Sequence, residues 1–316
     1  MQRRCETIIL DRSTLNEMIQ PVLPGQSVED FELMAEGLIN SNYKISVTGS
    51  KHKTFLIRVY ARDPDACPRE AEILSLIKDN VAVPEVLYSS TSDSIIGRPY
   101  AVLQWCEGVL LHQISNNEQR TPNVNSAFYA AGEALACIGT HKFEQSGQFG
   151  KGPAIEHPFP FMRACLENED VRRRLGESMC ERLPGFILEH AHCLEKVEAC
   201  LVHGDFNGKN ILVKQENDRW IISAVLDWEW AHAGTPLFDV GSMLRYKKRH
   251  PDMESHFIKG FQSAGGQLQS NWKQASSFID LNNLLEFLTG TEEREWLFEE
   301  ARQLIESTML EWDGLA

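Results

Sequence analysis

The chain has 316 residues, enough for one large domain or two modest ones with a sizeable buried core, which excludes a peptide hormone or a lone binding motif. Hydrophobic residues make up 42% and charged residues 24%, with no apolar run near the roughly 18 residues of a membrane span, so a soluble globular protein without a membrane partner is expected. Thirty-one Lys and Arg against 45 Asp and Glu leave a formal charge of −14, which disfavours nucleic acid or anionic lipid and allows a cationic partner.

Eight cysteines are scattered without the CxxC pairs of a zinc site, a usage that suits a reducing compartment. The apolar stretch Ile8 to Leu10 is too short for a signal-peptide core. A cytoplasmic location is expected.

Taken in chain order, Tyr43, Ile45 and Val47 alternate with polar residues, Gly49 to Lys53 supplies a turn, and Thr54 to Tyr60 alternates again. This predicts a β-hairpin with Arg58 on the face opposite Phe55, Ile57 and Val59. A helix is predicted from Pro68, with Ala71, Leu74 and Ile77 at helical spacing, Glu70 in its first turn and a stop at Asp79-Asn80. Tyr100 to Cys106 reads as a buried strand ended by Glu107-Gly108. Beyond it the pattern is mainly helical: a helix over 127–141 with Ser126 as N-cap, and another over 180–199 broken at Pro184. Leu201-Val202 and Ile211 to Val213 read as short strands around a polar loop, and Trp220 to Leu226 as a strand after the turn 216–218. The final helix groups Leu297, Ala301, Leu304, Ile305 and Thr308 on one face, leaving a solvated acidic face elsewhere.

The loop His203-Gly204-Asp205-Phe206-Asn207-Gly208-Lys209-Asn210, held between two strands, can present a carboxylate and an amide to a reacting centre. Leu226-Asp227-Trp228-Glu229 adds carboxylates at a strand end. Asp205, Asn210 and Asp227 are hard oxygen donors of the kind that suits Mg²⁺ shared with substrate phosphates.

The run H-G-D-x-x-x-x-N, the following L-D-W-E and then Gly234-Thr235-Pro236-Leu237-Phe238-Asp239 resemble the aminoglycoside phosphotransferase family, the small-molecule branch of the protein-kinase-like fold. Residues 36–43, Arg69-Glu70 and Val81 to Leu87 resemble its nucleotide-covering loop, the start of its helix C and its V-P-x-V-L segment. The resemblance spans about residues 25–250. It implies an α+β, two-lobed fold: an antiparallel-sheet lobe over 1–103, a hinge over 104–108 and a mainly helical lobe over 109–316.

It further implies transfer of the γ-phosphate of ATP or GTP to a small-molecule hydroxyl. Asp205 matches the catalytic carboxylate, and Asn210 and Asp227 match the Mg²⁺ ligands. Glu229 falls at an acidic position that could touch the acceptor or support the metal site. Ser41 and Asn42 would place backbone amides over the phosphates. Arg58, where many relatives have lysine, would pair with Glu70 and bind phosphate through a planar fork. Gln104 and Cys106 would offer main-chain groups to the purine edge, with Leu103 behind it. His203 supports the loop, Asp239 accepts backbone hydrogen bonds from it, and His141, Trp228 and Trp230 read as packing residues. His-Gly-Asp in place of His-Arg-Asp, Asp-Trp-Glu in place of Asp-Phe-Gly, and the lack of a following Ala-Pro-Glu argue against a protein kinase. An aminoglycoside-like cation is the first acceptor expected, with a macrolide, choline, homoserine or sugar, or a catalytically silent nucleotide-binding protein, as alternatives.

Overall fold

Alternating side chains in roughly the first hundred residues build a five-stranded antiparallel sheet, with Val28–Leu33, Ser41–Val47, Thr54–Val59, Tyr100–Gln104 and Val86–Ser90 side by side in that order. A computed structural model describes residues 7–34, 40–49, 54–61, 63–90, 95–115, 122–149, 158–194, 198–290 and 294–315. Helix α1 (Arg12–Ile19) precedes strands β1 (Val28–Leu33), β2 (Ser41–Val47) and β3 (Thr54–Val59), and α2 (Ala66–Ile77) leads to β4 (Val86–Ser90) and β5 (Tyr100–Gln104). The predicted turn lies mostly outside the described residues.

The two faces of the sheet bury different things. Tyr43, Ile45, Val47, Ile57, Val59 and Val102 pack under Leu15, Met18 and Ile19 of α1, each strand contributing alternate residues as its pleat requires. Ala101 and Leu103 point the other way, into a core that continues through α2 to Phe206, Ile211 and Trp228. That shared core fixes the sheet against the loop motif. Helix α2 starts two residues before the predicted Pro68, which occupies the first turn, where its missing N–H removes no helical bond.

After β5 come β6 (Val109–Leu110), α3 (Leu111–Ser115), α4 (Val124–Ile138), β7 (Gly147–Gln148), α5 (Pro158–Glu167), α6 (Glu169–Leu175) and α7 (Glu177–His190). Then follow β8 (Cys200–Val202), β9 (Ile211–Glu216), β10 (Arg219–Val225), β11 (His232–Gly234), α8 (Leu237–Leu244), α9 (Met253–Ser263), α10 (Trp272–Phe287) and α11 (Glu295–Leu310). Short strands pair as β10-β9-β6 and β7-β11-β8. Among the described residues no helix is long and apolar enough to cross a membrane.

Two helix expectations are corrected. Ser126 does not cap α4: the helix begins at Val124 after Asn123, and the Ser126 hydroxyl instead donates to the Asn123 carbonyl at 2.7 Å and accepts the Trp220 N–H at 2.9 Å. Pro184 does not break α7, which runs through it. One missing N–H is offset there by burial of Met179, Leu183 and Ile187 at helical spacing.

Helices α4 and α9 cross at Gly132 and Gly260. A Cβ on Gly132 would stand 2.0 Å from the Phe257 carbonyl oxygen, and one on Gly260 the same distance from that of Tyr129. Gly132→Ala is therefore expected to destabilise the fold by about 3 kcal/mol, the upper range for overpacking. Chemical denaturation would read this as a lower midpoint at constant slope, and an unchanged midpoint would show that the helices can part freely.

Candidate active site

Strand β8 of one three-stranded sheet and strand β9 of the other hold residues 203–210 at both ends. Gly204 has φ +86, and a Cβ there would meet the Trp230 carbonyl oxygen at 2.4 Å. Only glycine fits that approach, which explains His-Gly-Asp here. Asp239, buried in α8, accepts the N–H groups of His203 at 2.7 Å and Gly204 at 3.0 Å. His203 is fully buried and bonds the Leu226 carbonyl through Nε2 at 2.8 Å, while its Nδ1 accepts the Asp205 N–H at 3.2 Å. These bonds define the neutral tautomer, and burial pushes its pKa down to about 4. His203 is a support and no proton donor near neutrality.

The Asp205 carboxylate is held by two amides: Asn207 donates to Oδ1 at 2.7 Å and Asn210 to Oδ2 at 2.8 Å. Burial raises its pKa to about 6, against the opposing pull of Arg245. Asn210 spends its amide nitrogen on Asp205, leaving Oδ1 without a protein partner among the described residues. The Leu226 N–H donates to the Asn210 carbonyl at 2.8 Å, which brings Asp227 alongside. Asp227 adopts φ 68 and ψ 64, a left-handed conformation that Asp and Asn tolerate better than most residues. Its Oδ1 takes Arg58, and Oδ2 stays open among the described residues.

On the sheet, Arg58 is buried between two carboxylates, with Nη1 3.2 Å from Glu70 Oε1 and Nη2 on Asp227. Burial disfavours its charge, but Glu70 and Asp227 outweigh this and raise its pKa. Glu70 also accepts the Trp228 N–H at 3.1 Å, linking α2 to the segment that carries Asp227. Glu229 is buried, accepts the Asn40 amide at 3.0 Å, and has a pKa pushed up to about 7 by burial and then by Asp227. It meets the covering segment and opens little surface to an acceptor.

Ser41 and Asn42 are strand residues, a correction to their place in a covering loop. The Ser41 hydroxyl accepts the Ile8 N–H at 3.0 Å, and Asn42 lies opposite Arg58. Residues 36–39 of the expected loop lie outside the described residues. At the expected hinge, the Gln104 N–H is already bonded to the Glu85 carbonyl at 2.9 Å, which takes it up as a donor to a purine. The Cys106 thiol donates to the Gln104 carbonyl at 4.0 Å, and the Cys106 backbone makes no backbone hydrogen bond among the described residues.

Three buried polar atoms on this side have no protein partner among the described residues: Asn42 Oδ1, Arg58 Nε and Trp105 Nε1. Such atoms are costly unless a ligand satisfies them, and an acceptor-rich ligand such as a nucleotide suits the two donors. The donor set of Asn210 Oδ1 and Asp227 Oδ2 fits Mg²⁺, which is commonly held by one or two carboxylates plus substrate phosphates. Among the described residues no cluster of three His, Cys, Asp or Glu forms a separate cage. Sequence reasoning missed Tyr60, Asn40 and Asn207. Tyr60 shares the face of Arg58 two positions on, and Asn207 lies within the loop motif, so both left a trace in the spacing.

Fold and site together define a kinase-like phosphotransferase. Residues 30–275 match the family described as "Phosphotransferase enzyme family" (APH), and the chain belongs to that family. The GDP complex of wild-type aminoglycoside 2′-phosphotransferase-IIIa superposes with a TM-score of 0.69 at 17% identity, covering 94% of this chain and 98% of that one. The GDP and kanamycin complex of APH(2″)-IIIa gives 0.68 at 18%, covering 94% and 98%. The Arabidopsis thaliana protein named "Probable acyl-CoA dehydrogenase IBR3" is 24% identical over 78% of this chain and 31% of its own length. Mus musculus "Acyl-CoA dehydrogenase family member 10" is 28% identical over 76% of this chain and 23% of its own. The chain thus spans about a quarter to a third of these curated relatives.

Proposed function

We propose that the protein transfers the γ-phosphoryl group of ATP or GTP to a hydroxyl of a small molecule. The observation that carries this reading is a carboxylate fixed by two amides, Asp205, beside two open hard oxygens, on Asn210 and Asp227. In the proposed step Asp205 orients the acceptor hydroxyl and takes its proton as the oxygen bonds to the γ-phosphorus. The bond to the β-phosphate oxygen breaks and the nucleoside diphosphate leaves. Arg58 holds the α- and β-phosphates, and Gln104 and Cys106 meet the purine. Asn210 and Asp227 would hold Mg²⁺, which when bound neutralises charge on the β- and γ-phosphates. We assign residues 1–103 to the nucleotide-covering lobe, 104–108 to the hinge and 109–316 to the acceptor lobe.

For the acceptor, the chain charge of −14 and the likeness to a kanamycin-bound enzyme favour an aminoglycoside-like cation. A second reading is favoured by the curated relatives, whose names place the matching segment in proteins called acyl-CoA dehydrogenases. On it, the acceptor is the hydroxyl of a hydroxyacyl thioester. The acidic α11 and the Glu311 that follows it add little to the first reading, because Glu299, Glu300, Glu306 and Glu311 are paired with Arg302, Arg249, Arg182 and Lys248.

A coupled assay of nucleoside diphosphate release across aminoglycosides, hydroxyacyl thioesters, macrolides, amino alcohols and sugars tests the proposal. A cationic acceptor should show an apparent KM that rises several-fold between about 0.05 and 0.3 M salt as the Debye length shortens. A phosphate-bearing thioester should not. Nucleotide binding with no transfer to any acceptor would instead favour the silent protein.

A further inference from the structure

An arginine in the lysine position creates a hazard that lysine does not. Guanidinium and carboxylate groups match as two-pronged forks and commonly pair at two points, whereas an ammonium is a point charge. Beside a buried Glu70, the fork of Arg58 could be captured whole, turning its Nε edge away from a phosphate. The observed pair is single-pronged: Glu70 engages Arg58 through Oε1 and Nη1 at 3.2 Å. That same oxygen takes the Trp228 N–H at 3.1 Å.

What occupies Oε2 is the phenol of Tyr60, which donates to it. Tyr60 is 2% exposed and Glu70 likewise, so no water competes for that oxygen. The Arg58 guanidinium also lies 5.5 Å from the Tyr60 ring centroid, within the range of a cation–π contact. Burial and the neighbouring Glu70 carboxylate raise the pKa of Tyr60, keeping the phenol a donor. Arg58 Nε, buried and without a hydrogen-bond partner among the described residues, is the edge this arrangement leaves available.

We propose that Tyr60 is a positioning residue for nucleotide binding: by filling Glu70 Oε2 it prevents two-point capture of Arg58 and leaves the guanidinium edge for the triphosphate. This rests on the reading that Arg58 holds the triphosphate. The device is specific to arginine, since a lysine ammonium at this place could use either Glu70 oxygen and still offer a hydrogen to phosphate.

The test is a double-mutant cycle on the full chain with kinetics in both substrates. Tyr60→Phe alone should raise the nucleotide KM about tenfold, the scale of one hydrogen bond to a charged group, with the acceptor KM unchanged. In an Arg58→Lys background the same substitution should change the nucleotide KM by less than about twofold, because the coupling has been removed. Equal effects in the two backgrounds, or a lower melting temperature with no KM shift, would assign Tyr60 a purely structural role and overturn the proposal. Should Tyr60→Phe alone not fold, the double variant decides: it is expected to match Arg58→Lys in nucleotide KM, and a raised value overturns the idea. Arg58→Ala separates the two levels. If it leaves nucleotide KM unchanged, the assignment of Arg58 fails; if it raises KM while Tyr60→Phe does not, only the role of Tyr60 fails.

Discussion

Asp205→Asn is expected to lower phosphoryl transfer by roughly 10²–10⁴-fold, the usual loss when general-base help is removed, while leaving nucleotide affinity nearly unchanged. The side chain keeps its size, so β8, β9 and the bonds from Asp239 to the loop should persist. What is lost is the negative charge that two amides hold in place. The same assignment predicts an acid limb in the wild-type rate. Burial raises the Asp205 pKa to about 6, and only the ionised carboxylate accepts a proton, so turnover should fall as pH drops through that value. Single-turnover rates from pH 5 to 8, with calorimetric nucleotide binding alongside, would check both. Wild-type turnover in the variant under chemistry-limited conditions would remove Asp205 from the reaction.

Much of the site was legible because phosphoryl transfer requires few groups in a fixed order. His203, Asp205, Asn210, Asp227 and Asp239 sit in three short segments, and the structure brings them together around one loop. The sheet was legible too, since Arg58 opposite Ile57 follows from the pleat alone. The misread features depend on contacts distant in sequence. Ser126 looks like a helix cap until Trp220, 94 positions away, claims its hydroxyl. Pro184 looks like a breaker until Met179, Leu183 and Ile187 are seen to bury their face. Glu70 was expected to pair with Arg58, yet its bonds to Tyr60 and the Trp228 N–H carry no local pattern. Likewise Asn40 and Glu229, which meet across 189 positions, have no mutual signature in spacing. Periodicity reports what a residue turns toward within its own element, while such pairs are decided by how separate elements pack.

The other large effect is expected from Asp227→Asn, which should raise the Mg²⁺ concentration needed for half-maximal activity by at least the roughly 10–100-fold that even outer-shell partners of a metal cost. Asparagine is the informative replacement because the backbone there is left-handed, φ 68 and ψ 64, and Asn accepts that conformation without the strain that alanine would add. The amide still offers an oxygen but no charge, and a hard cation is held chiefly by charge. A second consequence follows from Arg58, which is buried between Glu70 and Asp227. With the Asp227 charge gone, Arg58 is left to Glu70 alone, so nucleotide affinity should fall even without added metal. Titrating nucleotide binding with and without Mg²⁺ separates the two: loss of metal linkage reports the cation site, and loss in the metal-free arm reports the ion pair. A variant with a normal Mg²⁺ titration and normal turnover would exclude Asp227 from the metal site and leave it as a partner of Arg58 alone.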